Sequence, residues 1–166
     1  MTDTHWHTNQ YDDPSSISRV HTVVENQLAA LPPYALITFA DGGLRSSAND
    51  LALYLAAISN GGALNDVRIL TDQKVSQMIA SQTEGIDMGD MAATMDYYGT
   101  FWSGMAGLVG HDGGDPGITT TMYFDPQRKM GFVILINLDS DAIPNLQDIL
   151  VSTIRFAFAL KYADKK

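Results

Sequence analysis

The chain has 166 residues, of which 45% are hydrophobic and 17% are charged, as is typical of a globular domain and not of a disordered segment. Its formal net charge of −9 disfavours nucleic acid and anionic membranes as partners, because a phosphate-binding face requires clustered Lys or Arg. The sequence contains no cysteine, which excludes disulfides, zinc–thiolate sites and a thiol nucleophile. It also contains no apolar stretch of about 18 residues, so no segment is expected to span a membrane.

The N-terminal segment predicts only short elements. Residues 1–34 are polar and irregular, and residues 19–31 within them predict a short helix that Pro32 and Pro33 stop. Residues 35–39 are apolar and are a candidate short strand, followed by a turn at Asp41-Gly42-Gly43.

Two helices are predicted next. The first begins at Ser46 or Ser47, either of which can cap it, and Asp50 stands three residues after Ser47 as in a capping box. Its apolar stripe consists of Leu51, Leu55 and Ile58, and it ends at Asn60-Gly61-Gly62. The second helix begins at Thr71-Asp72, and its inward residues are Val75, Met78 and Ile79. Residues 83–95 contain three methionines without a clear period and predict a loop.

The remainder of the chain predicts antiparallel strands and a last helix. The predicted strands are residues 97–102, 105–111, 118–125 and 131–138. Pro144 lies in the first turn of the helix. Its apolar stripe is Leu146, Ile149, Leu150, Thr153, Phe156, Ala157 and Leu160. The expected fold class is α+β, with an antiparallel sheet of three to four strands and helices packed on it.

One predicted strand requires a neighbour that is hard to find in the chain. The continuous apolar run 132–138 predicts a strand that is buried on both faces and lies in the middle of a sheet. Residues 118–125 provide one neighbour, and the short segment 35–39 is the candidate for the other. The alternative is that the missing neighbour belongs to another chain or to a segment absent here, because an uncovered apolar edge promotes aggregation.

The sequence GHDGGDPG, residues 110–117, is the leading candidate for a functional site. His111 is the one candidate acid–base group at the mouth of the strands. The glycines allow a ligand to approach the backbone, whose N–H groups can bind an oxyanion. On the pattern alone, a glycine-rich turn without function is the more common explanation, because Gly and Pro are the usual turn-forming residues.

Five motifs in order resemble those of the serine β-lactamase-like hydrolases, which include class C β-lactamases, DD-peptidases and related esterases. GHDGGDPG is similar to the H-x-G-x-x-P-G motif of that family. Residues 41–51 resemble its G-G-L-x-S-[ST]-x-x-D-L helix start, and residues 98–102 resemble its Y-G-x-G-W strand, with Phe101 in place of the second glycine. Residues 122–137 are similar to its last hairpin, and residues 1–6 to its L-G-M-x-x-T-x-[FW] segment.

The resemblance implies supporting catalytic roles for three residues. His111 would line the active site and help proton transfer or substrate carboxylate binding. Gly113 would keep the strand open to substrate, and Gly114 would offer a backbone N–H to the oxyanion hole. No nucleophile can be named, because the family's serine lies in an S-x-x-K motif and no serine here has Lys three residues on. The Y-x-N motif is also missing, and Ser47-Ala48-Asn49, which spells S-x-N, is predicted to be a helix cap.

The expected protein is therefore the C-terminal portion of a β-lactamase-related serine hydrolase of amide, lactam or ester substrates, inactive alone. Residues 1–166 form a single partial domain, with an irregular segment 1–40, helices and a loop over 41–95, and strands plus a helix over 96–166. The resemblance implies that an N-terminal half supplies the strand beside residues 131–138. The expected partner is that half or a second copy of the chain, bound through the sheet edge. The alternative is a non-catalytic binding or assembly module that oligomerises through this edge.

The sequence also gives expectations about cofactors and about the cellular compartment. No cofactor or metal is expected, although His5 and His7 share one face of an extended segment and can bind zinc or nickel with a nearby Asp. A small metal-dependent protein is thus a third and weaker class. The start, MTDTHWHTNQYDD, does not predict a signal peptide, whereas members of the resembled family are often extracytoplasmic, so the compartment stays open.

Overall fold

The computed structural model describes residues 1–163, without the side chains of residues 147 and 157–163. Within this range the helices are α1 (Phe39–Gly42), α2 (Ala48–Ser59), α3 (Asp72–Ile79) and α4 (Leu146–Ala163). The strands are β1 (His21–Val24), β2 (Gln27–Ala30), β3 (Ala63–Leu64), β4 (Val67–Arg68), β5 (Tyr97–Tyr98), β6 (Ser103–Met105), β7 (Leu108–Asp115), β8 (Ile118–Asp125) and β9 (Met130–Ile136).

The main sheet is antiparallel and has the strand order β5-β6-β7-β8-β9, so every neighbour in space is also a neighbour in sequence. The α+β class is confirmed, but the sheet has five strands in the described chain, where three to four are expected. The difference arises at residues 97–105, because Phe101 takes a left-handed backbone conformation with φ of 60°. Only Tyr97 and Tyr98 of the expected strand 97–102 form a strand, β5, and the short strand β6 begins after the bend, at Ser103.

The segment GHDGGDPG is mostly a strand and not a loop. Strand β7 continues to Asp115, and only Pro116 and Gly117 turn the chain into β8. A proline followed by a glycine with φ of +77° is typical of a type II turn. Neither Gly113 nor Gly114 has a positive φ, so both extend the strand. The predicted turn is therefore correct in kind but shorter than the sequence pattern indicates.

The two helices predicted from capping and apolar spacing are confirmed. Helix α2 begins after Ser47, whose hydroxyl accepts a hydrogen bond of 3.2 Å from the Asp50 N–H. Helix α3 begins after Thr71, whose hydroxyl accepts one of the same length from the Lys74 N–H. The core lies between these helices and one face of the sheet, and its buried residues are Leu55, Ile58, Val75, Trp102, Val109 and Phe124.

Two predictions for the N-terminal segment are wrong. Residues 19–31 form the β1–β2 hairpin and not a helix, because Glu25 and Asn26 take φ of 50° and 61° as a two-residue type I′ turn requires. The β-branched Thr22, Val23 and Val24 favour the strand before this turn. Residues 35–39 form no strand, since they lead into the short helix α1.

Strand β9 lies at an edge of the sheet, with β8 on one side and no other strand beside it in residues 1–163. Its residues are half-buried or exposed, so the predicted burial on both faces is not observed within this chain. Beyond the strand, the Asn137 carbonyl accepts a 3.0 Å hydrogen bond from the His21 N–H, and Leu138 forms one bridge to His21.

The C-terminal helix leaves apolar side chains in solvent. Ile149 and Phe156, both from the predicted apolar stripe of α4, are 51% and 65% exposed. The side chains of Ala157 and Leu160, which belong to the same predicted stripe, lie outside the described residues.

Candidate functional site

The three predicted site residues lie on the second half of β7. His111 pairs with Met122 of β8, Gly113 with Thr120 and Gly114 with Thr119. All three residues are exposed. Because strand residues alternate between faces, His111 and Gly113 lie on one face of the sheet and Gly114 on the other. The fold thus brings the three together on one accessible strand.

The side of β7 away from β8 is open at the same place. Strand β6 pairs only with Leu108, Val109 and Gly110, so its ladder ends one residue before His111. From His111 to Asp115, no strand of the described chain lies beside this edge. An unpaired strand edge presents free backbone N–H and C=O groups, which an extended ligand or an oxyanion can bind.

A hydrogen-bond network that is buried at Ser103 and Tyr123 lies on the face of β7 opposite His111. The Tyr123 hydroxyl donates to the Asp112 carboxylate at 2.7 Å and lies 3.1 Å from the Ser103 hydroxyl. The Ser103 hydroxyl in turn lies 3.3 Å from the Gly110 carbonyl oxygen. Burial, helped by the Asp112 carboxylate, raises the pKa of Tyr123 to about 12, so the phenol is neutral at ordinary pH. The network joins β6, β7 and β8 beside the candidate site.

Gly110 is required by the same packing. A Cβ atom at this position would lie 2.1 Å from the Met122 carbonyl oxygen and 2.3 Å from Cγ of Tyr123. Real contacts are not that short, so the first glycine of GHDGGDPG makes room for the Tyr123 ring. Sequence reasoning missed this network, because only the register between β7 and β8 shows that Gly110 and Tyr123 are opposite each other.

Asp50 connects the N-terminal segment to α2. Its side chain is buried, and Oδ2 accepts hydrogen bonds from the Asp3 N–H at 2.8 Å and the Thr4 hydroxyl at 2.7 Å. Burial alone would raise the pKa of Asp50, but the hydrogen bonds from Thr4 and Asp3 outweigh it and hold the pKa below its usual range. The Asp50 carboxylate therefore does not complete the expected capping box with Ser47. It binds Asp3 and Thr4 instead, which lie 46 to 47 residues away in sequence.

Two cavities adjoin the end of the β7–β8 hairpin, and both are lined by Asp115 and Ile118. The larger, which we call the Arg45 cavity, has a volume of about 780 Å³ and lies between β8, β9 and the segments before α2. The smaller, of about 750 Å³, is bordered by Gly114 and by the β1–β2 hairpin. Neither His111 nor Gly113 lines either cavity.

The histidines considered as metal ligands make other contacts. The His5 ring packs edge-on against Tyr11 at a centroid distance of 4.5 Å, and its Nε2 lies 3.1 Å from the Thr2 carbonyl oxygen. The His7 ring lies 5.7 Å from that of Phe39. Residues 1–163 contain no group of three His, Cys, Asp or Glu side chains placed to hold a metal ion.

The fold and the exposed H-x-G strand define a serine β-lactamase-like protein. A family model described as Beta-lactamase matches residues 1–150, and the chain therefore belongs to that family. In residues 1–163, no helix has the length and apolar content that crossing a membrane requires.

A solved structure supports the same fold. The chain is similar to the octameric penicillin-binding protein homologue from Pyrococcus abyssi, with 24% sequence identity and a TM-score of 0.68. The match covers 87% of this chain but only 31% of that protein, so the chain spans less than a third of its relative's length. No curated protein sequence matches the chain.

Proposed function

We propose that this chain supplies the strand from His111 to Gly114 to the active site of a β-lactamase-related serine hydrolase. The nucleophilic serine and its activating lysine would come from another segment or chain. The observation that carries this proposal is the open edge of β7 from His111 to Asp115, in a chain where no serine has Lys three residues on. An accessible backbone beside a histidine fits a substrate-binding strand better than a plain turn.

The proposed reaction is acyl transfer to serine followed by hydrolysis. The serine oxygen would attack the carbonyl carbon of an amide, lactam or ester, and the leaving group would depart with a proton. Water would then cleave the acyl-enzyme and regenerate the serine. The backbone N–H of Gly114 would stabilise the oxyanion, Gly113 would leave space for the substrate, and His111 would assist proton transfer or bind a substrate carboxylate.

The proposed partner binds beside β9. Within residues 1–163, one side of this strand has no neighbouring strand, and such an edge pairs readily with another strand. In this proposal residues 1–166 form a partial domain, which a segment carrying the nucleophile completes.

Hydrolysis assays with and without that segment test the proposal. We expect the chain alone to hydrolyse nitrocefin and p-nitrophenyl acetate no faster than its His111→Ala variant. A second polypeptide with the S-x-x-K and Y-x-N motifs of this family, co-expressed with the chain, should generate turnover that His111→Ala lowers by about 100-fold. Glu84→Ala, which changes an exposed residue outside the proposed site, is the control and should retain that turnover.

Two results would contradict the proposal. One is turnover by the chain alone that a single Ser→Ala substitution abolishes, because the nucleophile would then lie in this sequence. The other is a stable complex with the second polypeptide that hydrolyses neither substrate, since His111 and its strand would then not be part of a working site.

A non-catalytic assembly module is the second candidate. The specific observation in its favour is that the similar protein from Pyrococcus abyssi is octameric, together with the open β9 edge. A closed homo-oligomer that binds no S-x-x-K polypeptide would favour this candidate over the enzyme.

A further inference from the structure

Arg45 has an arrangement that the proposed function does not use. Its backbone is clamped by a two-way bridge with His5, with N–O distances of 2.9 Å in both directions. Its carbonyl also accepts a 3.2 Å hydrogen bond from the Tyr11 hydroxyl. The guanidinium is fixed in turn, because Nη2 donates to the Tyr34 carbonyl at 2.9 Å and Nη1 makes a long contact of 3.4 Å to the Gly43 carbonyl. The side chain is thus oriented before any ligand arrives.

The guanidinium retains unused hydrogen-bonding capacity. Arginine has five N–H donors, and these two contacts engage one donor each, which leaves three. The ion pairs within residues 1–163 join Met1 to Asp50 and Arg128 to Asp125, so no carboxylate there lies within 4.0 Å of Arg45. A half-buried arginine that bonds only to neutral carbonyls can still bind an anion strongly, because charged hydrogen bonds are about twice as strong as neutral ones.

The cavity that Arg45 lines has an apolar wall. Leu36, Leu51, Ile118, Leu135 and Ile136 line the Arg45 cavity. Tyr11 and Tyr34 also line it, but their hydroxyl protons already point to backbone carbonyls, so their rings serve mainly as walls. The volume of about 780 Å³ is in the range of small-molecule sites, which combine an apolar lining with a few polar groups.

The two carboxylates that border the Arg45 cavity limit its ligand to one negatively charged group. Asp3 and Asp115 border the same cavity, and neither lies within 4.0 Å of the guanidinium. A second negative charge on the ligand would be repelled by one of these carboxylates, whereas a single carboxylate can stay on Arg45.

We propose that the Arg45 cavity binds a monocarboxylate with an apolar body. The carboxylate accepts hydrogen bonds from the free N–H groups of Arg45, and the apolar body packs against the leucine and isoleucine wall. Carboxylate binding in the Arg45 cavity does not involve His111, Gly113 or Gly114, the residues of the proposed active site.

Titration calorimetry with three related probes tests the proposal. The probe is 4-phenylbutanoate, its neutral counterpart is 4-phenylbutanamide, and its dianionic counterpart is phenyl phosphate. We expect saturable binding of the carboxylate at about millimolar concentration, with the amide and the phosphate about tenfold weaker or worse. Arg45→Gln should weaken carboxylate binding about tenfold and leave amide binding unchanged.

Arg68→Gln is the matched control. The Arg68 guanidinium also donates to two backbone carbonyls, those of Gly61 and Leu70, both at 2.8 Å, but it lines neither cavity at the hairpin end. Its substitution should leave all three affinities unchanged. Equal binding of the amide and the carboxylate, or an Arg45→Gln affinity equal to wild type, would overturn the proposal.

A measurement on the wild-type protein tests the proposal even if the Arg45→Gln variant fails to fold. Phenylglyoxal reacts with accessible guanidinium groups, and peptide mass spectrometry locates each modified arginine. We expect 4-phenylbutanoate to slow the modification of Arg45 and not that of Arg68. Unchanged modification of Arg45 at saturating probe would overturn the proposal.

Discussion

At the scale of single residues, Asp125 controls the turn that joins β8 to β9. Its side chain is buried, and Oδ1 accepts hydrogen bonds from the N–H groups of Gln127 at 2.8 Å and Arg128 at 2.9 Å. Oδ2 forms an ion pair with the Arg128 guanidinium. These contacts, the Arg128 N–H first, hold the pKa of Asp125 below its ordinary value of 3.8 although burial acts in the opposite direction.

Asp125→Asn is therefore expected to lower the free energy of unfolding by about 1–2 kcal/mol at neutral pH, since charged hydrogen bonds are lost. A carboxyl whose pKa is lowered by folding stabilises the protein above its unfolded pKa, and this contribution disappears as pH falls through the folded pKa. The difference between wild type and variant should thus be constant above about pH 5 and shrink below pH 3.8. Urea unfolding at several pH values measures it.

The control for this prediction is Asp87→Asn, because Asp87 is exposed and accepts one hydrogen bond, from the Gly89 N–H. Its substitution should change stability little at any pH. A difference between wild type and Asp125→Asn that stays constant down to pH 2 would show that the charge of Asp125 is not the stabilising feature.

At the scale of elements, β7 depends on a glycine for a reason that lies in the neighbouring strand. Gly110→Ala places a methyl group against the Met122 carbonyl and the Tyr123 ring, and neither is the free end of a flexible side chain. We expect it to lower the free energy of unfolding by about 1–3 kcal/mol, because overpacking in a filled core forces neighbours to move. Thermal and urea unfolding of the purified variants provide the measurement.

Gly114→Ala is the matched substitution in the same strand and on the same face. The atom nearest to a Cβ added at Gly114 is the Ile118 carbonyl oxygen, at 3.8 Å, which is an ordinary contact distance. Stability should change by no more than about 0.5 kcal/mol. Equal effects of the two substitutions would mean that the packing under Tyr123 is not what requires glycine at position 110.

The elements that the sequence predicts correctly are those specified by nearby residues. Helix α2 has its cap at Ser47 and its buried stripe at Leu55 and Ile58, and all of these signals lie within 12 positions. The β1–β2 hairpin is not predicted, because the prolines that follow residues 19–31 also fit the end of a helix. The turn there depends on left-handed Glu25 and Asn26, a conformation that is unusual for glutamate.

The candidate site, like the fold, is predicted only in part by the sequence. The motif around His111 is visible in the sequence, and the structure gives the residues of that motif an open strand edge. The partners of Asp112 and Asp50 are not visible, because Tyr123 and the Asp3–Thr4 pair become neighbours only after the strands and segments have folded together. The Arg45 cavity was missed for the same reason, since its guanidinium is held by a carbonyl 11 residues earlier.

At the scale of the whole molecule, the open edge of β9 has the strongest physical consequence. Strands that end a sheet pair with other chains unless charge, proline or another element protects them. Residues 130–136, MGFVILI, contain no charged residue and no proline, and within residues 1–163 no strand covers the free side. The chain alone is therefore expected to associate with itself through this edge.

Sedimentation equilibrium over a range of concentrations measures this association. Leu135→Lys introduces a charge at a residue of β9 that is 38% exposed, and it should weaken self-association about tenfold or more. Leu53→Lys introduces the same charge at a leucine of α2 that is 46% exposed, away from the edge, and should have no effect. If both substitutions weaken association equally, net charge and not the strand edge governs it. If the wild-type chain stays monomeric at all concentrations, the edge of β9 does not pair with a second copy of the chain.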